Sequence, residues 1–156
     1  MTSEWRYYDH NGMVKDKWIL YKNSYYYLDS YEIMQTGWLN YAGDWYYLYP
    51  SGEMAVGWLD DNGTWYFMNN AGKMQTGWIN DNGVWYYLYP SGAMATGWLL
   101  DAGAWYYLYP SGAMATGWLL EGETWYYLQP SGAMAVGDCL IDGTWYAFSE
   151  SGAWIG

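Results

Sequence analysis

Pairs of tryptophans seven residues apart are the feature of this sequence best suited to bind a ligand. In the segment GWLLDAGAWYYL, which begins at Gly97, one tryptophan follows a glycine and the second precedes two tyrosines. Indole and phenol rings carry negative π faces, which attract a cation. Three such rings facing one point favour a quaternary ammonium ion, which is apolar on its outside, and each face adds roughly 0.5–2 kcal/mol. A methionine thioether can close the remaining wall.

The motif returns every 20 residues. The Gly-Trp indoles are Trp38, Trp58, Trp78, Trp98 and Trp118, and the second indoles are Trp45, Trp65, Trp85, Trp105 and Trp125. A methionine follows each second indole after nine residues, at Met54, Met74, Met94, Met114 and Met134. A fixed period of this length indicates an array of stacked units.

Each unit is predicted to be a β-hairpin that positions these rings. Gly-Trp-Leu and Trp-Tyr-Tyr-Leu are rich in residues that favour strands, and turn signals such as Asn62-Gly63 lie between them. We predict that Leu39 pairs with Asp44, a register that places Trp38 opposite Trp45.

Alternation of side chains gives each hairpin two different faces. One face carries both indoles, such as Trp38 and Trp45, and the opposite face carries the middle aromatic residue, such as Tyr66. When hairpins stack, Trp38, Trp45 and Tyr66 should converge at one junction. A β-bulge would bring Phe67 there in place of Tyr66.

Interior packing is the competing explanation for the aromatic stripe. The aromatic residues are mostly Tyr (21) and Trp (14), with only 2 Phe. If these positions served packing alone, Phe or Leu could also fill them. Tyr and Trp place a large apolar body next to a polar tip, which suits a surface that contacts a ligand.

Charge and metal-ligand content narrow the possible functions. The chain has 16 Asp and Glu against 5 Lys and Arg, so it should repel nucleic acid and suit a cationic or zwitterionic ligand. Solubility of an apolar chain is the alternative reason for this charge. Cys139 is the only cysteine, which excludes an internal disulfide and a thiolate metal cage. We predict no metal and no cofactor.

The ends of the array are degenerate. Tyr25 stands where the second indole is expected, and Asp138 replaces a Gly-Trp indole. Terminal repeats are usually atypical because each has a neighbour on one side only. We therefore predict a single domain over residues 1–156, with about seven hairpin units and degenerate units at 1–36 and 137–156.

The segment TGWLLDAGAWYYLYPSGAMATGW resembles the choline-binding repeats, or cell-wall-binding repeats, of pneumococcal and related streptococcal surface proteins and phage lysins. The likeness extends from about Trp5 to the end of the chain. It implies an all-β fold, a β-solenoid of stacked hairpins with a left-handed superhelix. It also implies binding of choline or phosphocholine on teichoic and lipoteichoic acids, with one choline between successive hairpins.

The resemblance also implies which residues bind. Its sites are Trp38, Trp45 and Tyr66; Trp58, Trp65 and Tyr86; Trp78, Trp85 and Tyr106; Trp98, Trp105 and Tyr126; and Trp118, Trp125 and Tyr146. A linker methionine lines each pocket, either the earlier or the later one. The set Trp18, Tyr25 and Tyr46 is expected to be a weak site. In some relatives the last hairpin dimerises, which the apolar Trp154 and Ile155 would permit.

An extracellular place on a bacterial cell wall follows from the same resemblance. The N-terminal segment MTSEWRYYDHNGMVK has no apolar core of a signal peptide. No apolar run reaches the length of a membrane span. We expect either export by another route or a module cut from a longer chain.

Two other functions compete with this one. A glucan- or glycan-binding array would also use aromatic hairpins, but the repeats carry few polar side chains to fix hydroxyl groups. An enzyme would need paired carboxylates or an activated nucleophile. The acidic residues Asp60, Asp61, Asp81 and Asp101 are interpreted as solvated or turn-capping residues. Ser51, Ser91, Ser111 and Ser131 lie in Pro-Ser-Gly or similar turns without a base. We therefore predict no catalytic residues.

Overall fold

A computed structural model describes residues 4–156, and its regular structure is entirely β. The strands are β1 (Tyr8–Asp9), β2 (Gly12–Met13), β3 (Lys17–Tyr21), β4 (Ser24–Leu28), β5 (Gly37–Tyr41), β6 (Asp44–Leu48), β7 (Gly57–Asp61), β8 (Thr64–Met68), β9 (Gly77–Asp81), β10 (Val84–Leu88), β11 (Gly97–Asp101), β12 (Ala104–Leu108), β13 (Gly117–Glu121), β14 (Thr124–Leu128), β15 (Gly137–Ile141) and β16 (Thr144–Phe148). Each odd-numbered strand pairs only with the strand that follows it, as an antiparallel hairpin. The predicted all-β fold of repeated hairpins is confirmed.

Tight two-residue turns close these hairpins. Asn62 and Gly63 have φ angles of 52° and 90°, and positive φ at both central positions matches a type I′ turn. Ala102 adopts φ 51° at the same place although it has a side chain. The turn after β13 differs because positive φ falls on Gly122 but not on Glu123.

The predicted strand register was wrong by two residues. Trp38 lies opposite Tyr47, and Asn40 lies opposite Trp45. The prediction assumed a four-residue loop, whereas the two-residue turn lets Tyr41 pair with Asp44. A shift of two residues leaves every side chain on its predicted face, because side chains alternate with a period of two. The two indoles therefore still share one face.

A small apolar core repeats at the open end of the hairpins, away from the two-residue turn. The side chains with almost no exposure are Leu28, Leu48, Met68, Leu88, Leu108 and Leu128, one for each of six hairpins. Each of them forms a β-bridge with the methionine six residues later, as Leu128 does with Met134. Ala115 and Leu119 pack with Leu128 and Met134 in one such cluster.

The chain divides into two compact units, with the boundary between Gln75 and Thr76. The first contains β1 to β8 and the second contains β9 to β16. Within each unit, backbone hydrogen bonds tie consecutive hairpins together. The N–H of Met134 donates to the carbonyl of Trp105 at 2.7 Å in the second unit. The N–H of Met74 donates to the carbonyl of Trp45 at 2.8 Å in the first unit. The left-handed superhelix stays a prediction.

Candidate aromatic ligand-binding sites

The indole after each glycine meets the middle aromatic residue of the following hairpin. The ring centroids are 4.8 Å apart for Trp38 and Tyr66, 4.9 Å for Trp78 and Tyr106, 4.8 Å for Trp98 and Tyr126, and 5.0 Å for Trp118 and Tyr146. Phe67 instead packs on Trp58 of its own hairpin, at 4.9 Å. The alternative in which a bulge brings Phe67 to the junction with Trp38 is therefore wrong.

The two indoles of a hairpin have different surroundings. Trp98 packs against the apolar cluster of the next hairpin, which includes Leu119 and Leu128. Trp105 is 41% exposed, although it shares a face with Trp98. Burial of both indoles would be expected if the stripe served packing alone. The junctions of Trp78 and Trp98 thus combine one indole packed on the core with a second indole that solvent can reach.

A cavity of about 260 Å³ lies where these rings meet in the second unit. It is lined by Trp98, Trp105, Tyr126, Met134 and Ser151. The sequence left open which methionine closes each site, and here it is the later one. This choice follows from the backbone hydrogen bond that joins Met134 to Trp105.

A glycine in the turn that follows most of the hairpins makes room for a methionine of the preceding repeat. Gly132 has φ 91°, and a side chain added there would collide with the sulfur of Met114. Only glycine adopts this backbone conformation readily and also leaves the space empty. The Gly at this position of the repeat therefore fixes where the methionine side chain lies.

At the junctions of Trp38 and Trp78, an acidic side chain accepts a hydrogen bond from the indole. Trp38 Nε1 donates to Asp61 Oδ2 at 3.0 Å, and Trp78 Nε1 donates to Asp101 Oδ2 at 2.9 Å. The interpretation of Asp61 and Asp101 as solvated or turn-capping residues was therefore wrong. It was right for Asp60, whose Oδ1 accepts the turn N–H of Gly63 at 2.8 Å.

A sequence signal for these contacts did exist. Acidic residues recur with the 20-residue period at Asp61, Asp81, Asp101 and Glu121, each 23 positions after a Gly-Trp indole. Glu121 takes a different partner, since it accepts a hydrogen bond from the hydroxyl of Tyr107 at 3.2 Å. Burial, followed by the neighbouring Glu121, raises the pKa of Tyr107 above its ordinary value.

The last junction departs from the others at two positions. Trp154 stands at the methionine position, and its ring lies 6.2 Å from Trp118 and 6.4 Å from Tyr146. Ile141 takes the place of the acidic residue and is buried in the terminal core cluster. Trp125 stands perpendicular to Trp118 at 6.3 Å. Four aromatic rings therefore gather here, whereas the cavity beside Trp98 is lined by three and a methionine.

The first unit has a further junction with the predicted weak set. Trp18 and Tyr46 lie 4.9 Å apart, and Tyr25 is 46% exposed. The acidic position is taken by Tyr41, whose ring is 6.0 Å from Trp18. The aromatic contact of the regular junctions is thus preserved without a carboxylate.

A cavity of about 440 Å³ near the start of the described chain was not predicted. Its lining includes Trp5, Tyr26, Met34 and Ser51, each five repeats before a residue that lines the cavity beside Trp98. The N–H of Met34 donates to the carbonyl of Trp5 at 2.8 Å, as in the regular junctions. The only sequence signal was that Trp5 falls in register with the second indoles.

The remaining predicted set, Trp58, Trp65 and Tyr86, draws residues from both units and stays a prediction. Its second indole, Trp65, is 41% exposed, as the other second indoles are. Within residues 4–156, no three His, Cys, Asp or Glu side chains are grouped so that they could hold a metal ion.

Comparison with known proteins identifies the repeat. The family model of the choline-binding repeat matches residues 55–97, 75–117 and 95–138. A related model, described as a putative cell wall binding repeat, matches residues 36–54. These matches cover more than half of the chain. The chain belongs to the choline-binding repeat family.

Solved structures agree with this assignment. CbpJ from Streptococcus pneumoniae TIGR4 is 39% identical with a TM-score of 0.92, and the match covers 96% of this chain and 56% of CbpJ. Choline binding protein F from S. pneumoniae, solved with a peptidoglycan analogue, is 40% identical with a TM-score of 0.90, over 96% of this chain and 55% of that one. The chain thus spans little more than half the length of these relatives. Comparison with curated protein sequences found no match.

A phage enzyme carries the same kind of repeat beside other modules. The multimodular pneumococcal cell wall endolysin from phage Cp-1, solved with choline, is 34% identical with a TM-score of 0.56. The match covers 77% of this chain and 37% of the endolysin. The matched repeats of this chain together span residues 36–138. Its described part contains no helix long and apolar enough to cross a bilayer.

Proposed function

We propose that this chain attaches to cell walls by binding choline or phosphocholine of teichoic and lipoteichoic acids at its hairpin junctions. The observation that carries the proposal is the cavity bounded by Trp98, Trp105, Tyr126 and Met134. Its walls are aromatic faces and a thioether, which suit a trimethylammonium group. The exposed second indole gives the ligand a route in from solvent.

The proposed sites follow the repeat. They are Trp38, Trp45, Tyr66 with Met74; Trp78, Trp85, Tyr106 with Met114; Trp98, Trp105, Tyr126 with Met134; and Trp118, Trp125, Tyr146 with Trp154. Met54 belongs to the weaker site of Trp18, Tyr25 and Tyr46, because its N–H donates to the carbonyl of Tyr25 at 2.9 Å.

Weak individual sites suffice when they are repeated. Three aromatic faces supply several kcal/mol, which after the cost of association leaves an affinity of about 1 mM for one site. A polymer that carries many choline groups can occupy several junctions at once. Linked binding then raises overall affinity by a factor of about 100 or more without any new contact.

The proposal places the chain outside the cell, as one domain over residues 1–156. Relatives solved with choline or with a peptidoglycan analogue support a cell-wall ligand. The last hairpin exposes Trp145, Trp154 and Ile155, and we extend the proposal to a homodimer through this apolar end. Sedimentation equilibrium tests the dimer: Ile155→Asp should give a monomer, and a wild-type protein that is monomeric at all concentrations would reject it.

Retention on a diethylaminoethyl resin tests the main proposal, because the tertiary amine of the resin imitates choline. We expect the protein to stay bound in about 1 M salt, where ion exchange is screened, and to elute with free choline. An acidic protein without choline sites is the control and should elute with salt alone. Elution of this chain by salt alone would reject the proposal.

A further inference from the structure

The carboxylates of Asp61 and Asp101 lie against the edge of a binding indole. Both side chains are half-buried, and each accepts the Nε1–H of the Gly-Trp indole in the preceding hairpin. Asp61 shares a face of its hairpin with Tyr66, the ring that meets Trp38, whereas Asp60 lies on the opposite face. The acidic group is therefore part of the junction that contains Trp38.

Within the described residues 4–156, Asp61 and Asp101 form no ion pair. The ion pairs of Arg6 with Glu4 and of Lys73 with Asp44 involve other carboxylates. Structural burial of a carboxylate is unfavourable unless a hydrogen bond or an opposite charge compensates for lost water. The indole supplies the hydrogen bond, and the negative charge stays available to a ligand at the junction.

We propose that Asp61 and Asp101 make their junctions prefer a cationic ligand to a neutral ligand of the same shape. The inference rests on the proposed function and names a determinant of its specificity. The hydrogen bond to a charged acceptor polarises the indole and increases the electron density of its π face. The carboxylate also attracts a bound ammonium directly, through a junction whose effective dielectric constant is about 20 to 80.

Other junctions of the same chain lack this arrangement and serve as natural contrasts. Ile141 occupies the acidic position beside Trp118, and Tyr41 occupies it beside Trp18. Aromatic rings alone also attract quaternary ammonium ions, so these junctions can still bind choline. Their preference for choline over a neutral analogue should be smaller than the preference at the junctions with Asp61 and Asp101.

Two neighbouring substitutions separate the local effect from net charge. Asp61→Asn and Asp60→Asn each remove one negative charge from the same hairpin, but only Asp61 accepts a hydrogen bond from Trp38. The Nε1–H signal of Trp38 in a nitrogen-15 NMR spectrum, assigned with Trp38→Phe, reports on one junction. Each protein is titrated with choline and with 3,3-dimethylbutan-1-ol, which replaces the charged nitrogen of choline by carbon.

We expect Asp61→Asn to weaken choline binding at Trp38 by about threefold to tenfold, with little change for the neutral alcohol. Asp60→Asn should match the wild type with both ligands. The inference is overturned if Asp61→Asn binds choline like Asp60→Asn, or if it loses both ligands equally. A wild-type Trp38 signal that does not respond to choline, in a folded protein, would instead reject the proposed function at this junction.

Discussion

The junction around Trp78 and the junction around Trp118 lie in the same compact unit and differ in a useful way. The distance from the indole to the next tyrosine is 4.9 Å at the first and 5.0 Å at the second. The junctions differ in two other residues. At the first, the indole of Trp78 donates a hydrogen bond to Asp101. At the second, Ile141 stands at the position of that aspartate, and Trp154 replaces the methionine.

The fold sets the distance between the rings of a junction, whereas single residues set its remaining wall and its charge. Strand pairing and the backbone hydrogen bonds between hairpins set the ring-to-ring distance, since both junctions keep it. The backbone N–H of Trp154 donates to the carbonyl of Trp125 at 2.8 Å, and the backbone N–H of Met114 donates to the carbonyl of Trp85 at the same distance. The side chain at the methionine position and the local charge differ between the two junctions, while the strand pairing and the ring positions are kept.

Removal of Trp78 should have the largest effect. Its indole packs against Ala95, Leu99 and Leu108, so we expect Trp78→Ala to destabilise the protein by about 3 kcal/mol and to remove one choline site. Urea unfolding and calorimetric stoichiometry measure the two effects. An unchanged number of bound cholines in the folded variant would show that Trp78 is not part of a site.

Trp85→Ala is the matched change at the other indole of the same hairpin. Trp85 is 44% exposed, so we expect a stability loss below about 1 kcal/mol. Loss of one π face should weaken choline binding at this junction by about tenfold. The indole Nε1–H signal of Trp78 reports the affinity. A loss of stability as large as that of Trp78→Ala would contradict the division into a fixed and an accessible indole.

Trp154→Met gives the last junction a methionine, as the junction around Trp78 has. We expect choline affinity at Trp118 to fall by about threefold, because one aromatic face near the ligand is lost. Titration followed by the Nε1–H signal of Trp118 measures it. A several-fold gain in affinity would mean that Trp154 occupies the site rather than lining it.

The smallest expected effect concerns pH. Because burial and Glu121 raise the pKa of Tyr107 in the folded protein, its contribution to stability is complete below about pH 10 and declines as the pH rises through the folded value. Glu121→Gln should lower that pKa and reduce the decline. Labelled tyrosine NMR follows the titration of Tyr107. An identical titration in Glu121→Gln would contradict the contribution of the carboxylate.

The sequence predicted the faces of each hairpin but not every contact between them. The contact between Trp98 and Tyr126 could be predicted from the sequence, because an error of two residues in strand register leaves each side chain on the same face. The register itself was missed although Asn62-Gly63 signals a two-residue turn, because the prediction placed four residues in the loop between Leu39 and Asp44.

The sequence did not decide which side chains of neighbouring hairpins touch, although acidic residues recur 23 positions after the Gly-Trp indoles. The role of Met134, rather than the earlier methionine, depends on a backbone hydrogen bond to Trp105. The role of Asp61 depends on which face of its hairpin meets Trp38, and a turn-capping role was equally consistent with its position in the sequence. In both cases the deciding information is the stacking of neighbouring hairpins.

A crystal structure of the protein grown with choline tests the central claim most directly. The account predicts a trimethylammonium group held by Trp98, Trp105 and Tyr126, with Met134 beside it, and further cholines at the equivalent junctions. A folded protein whose junctions are closed by their own side chains, with choline bound elsewhere or not at all, would contradict it.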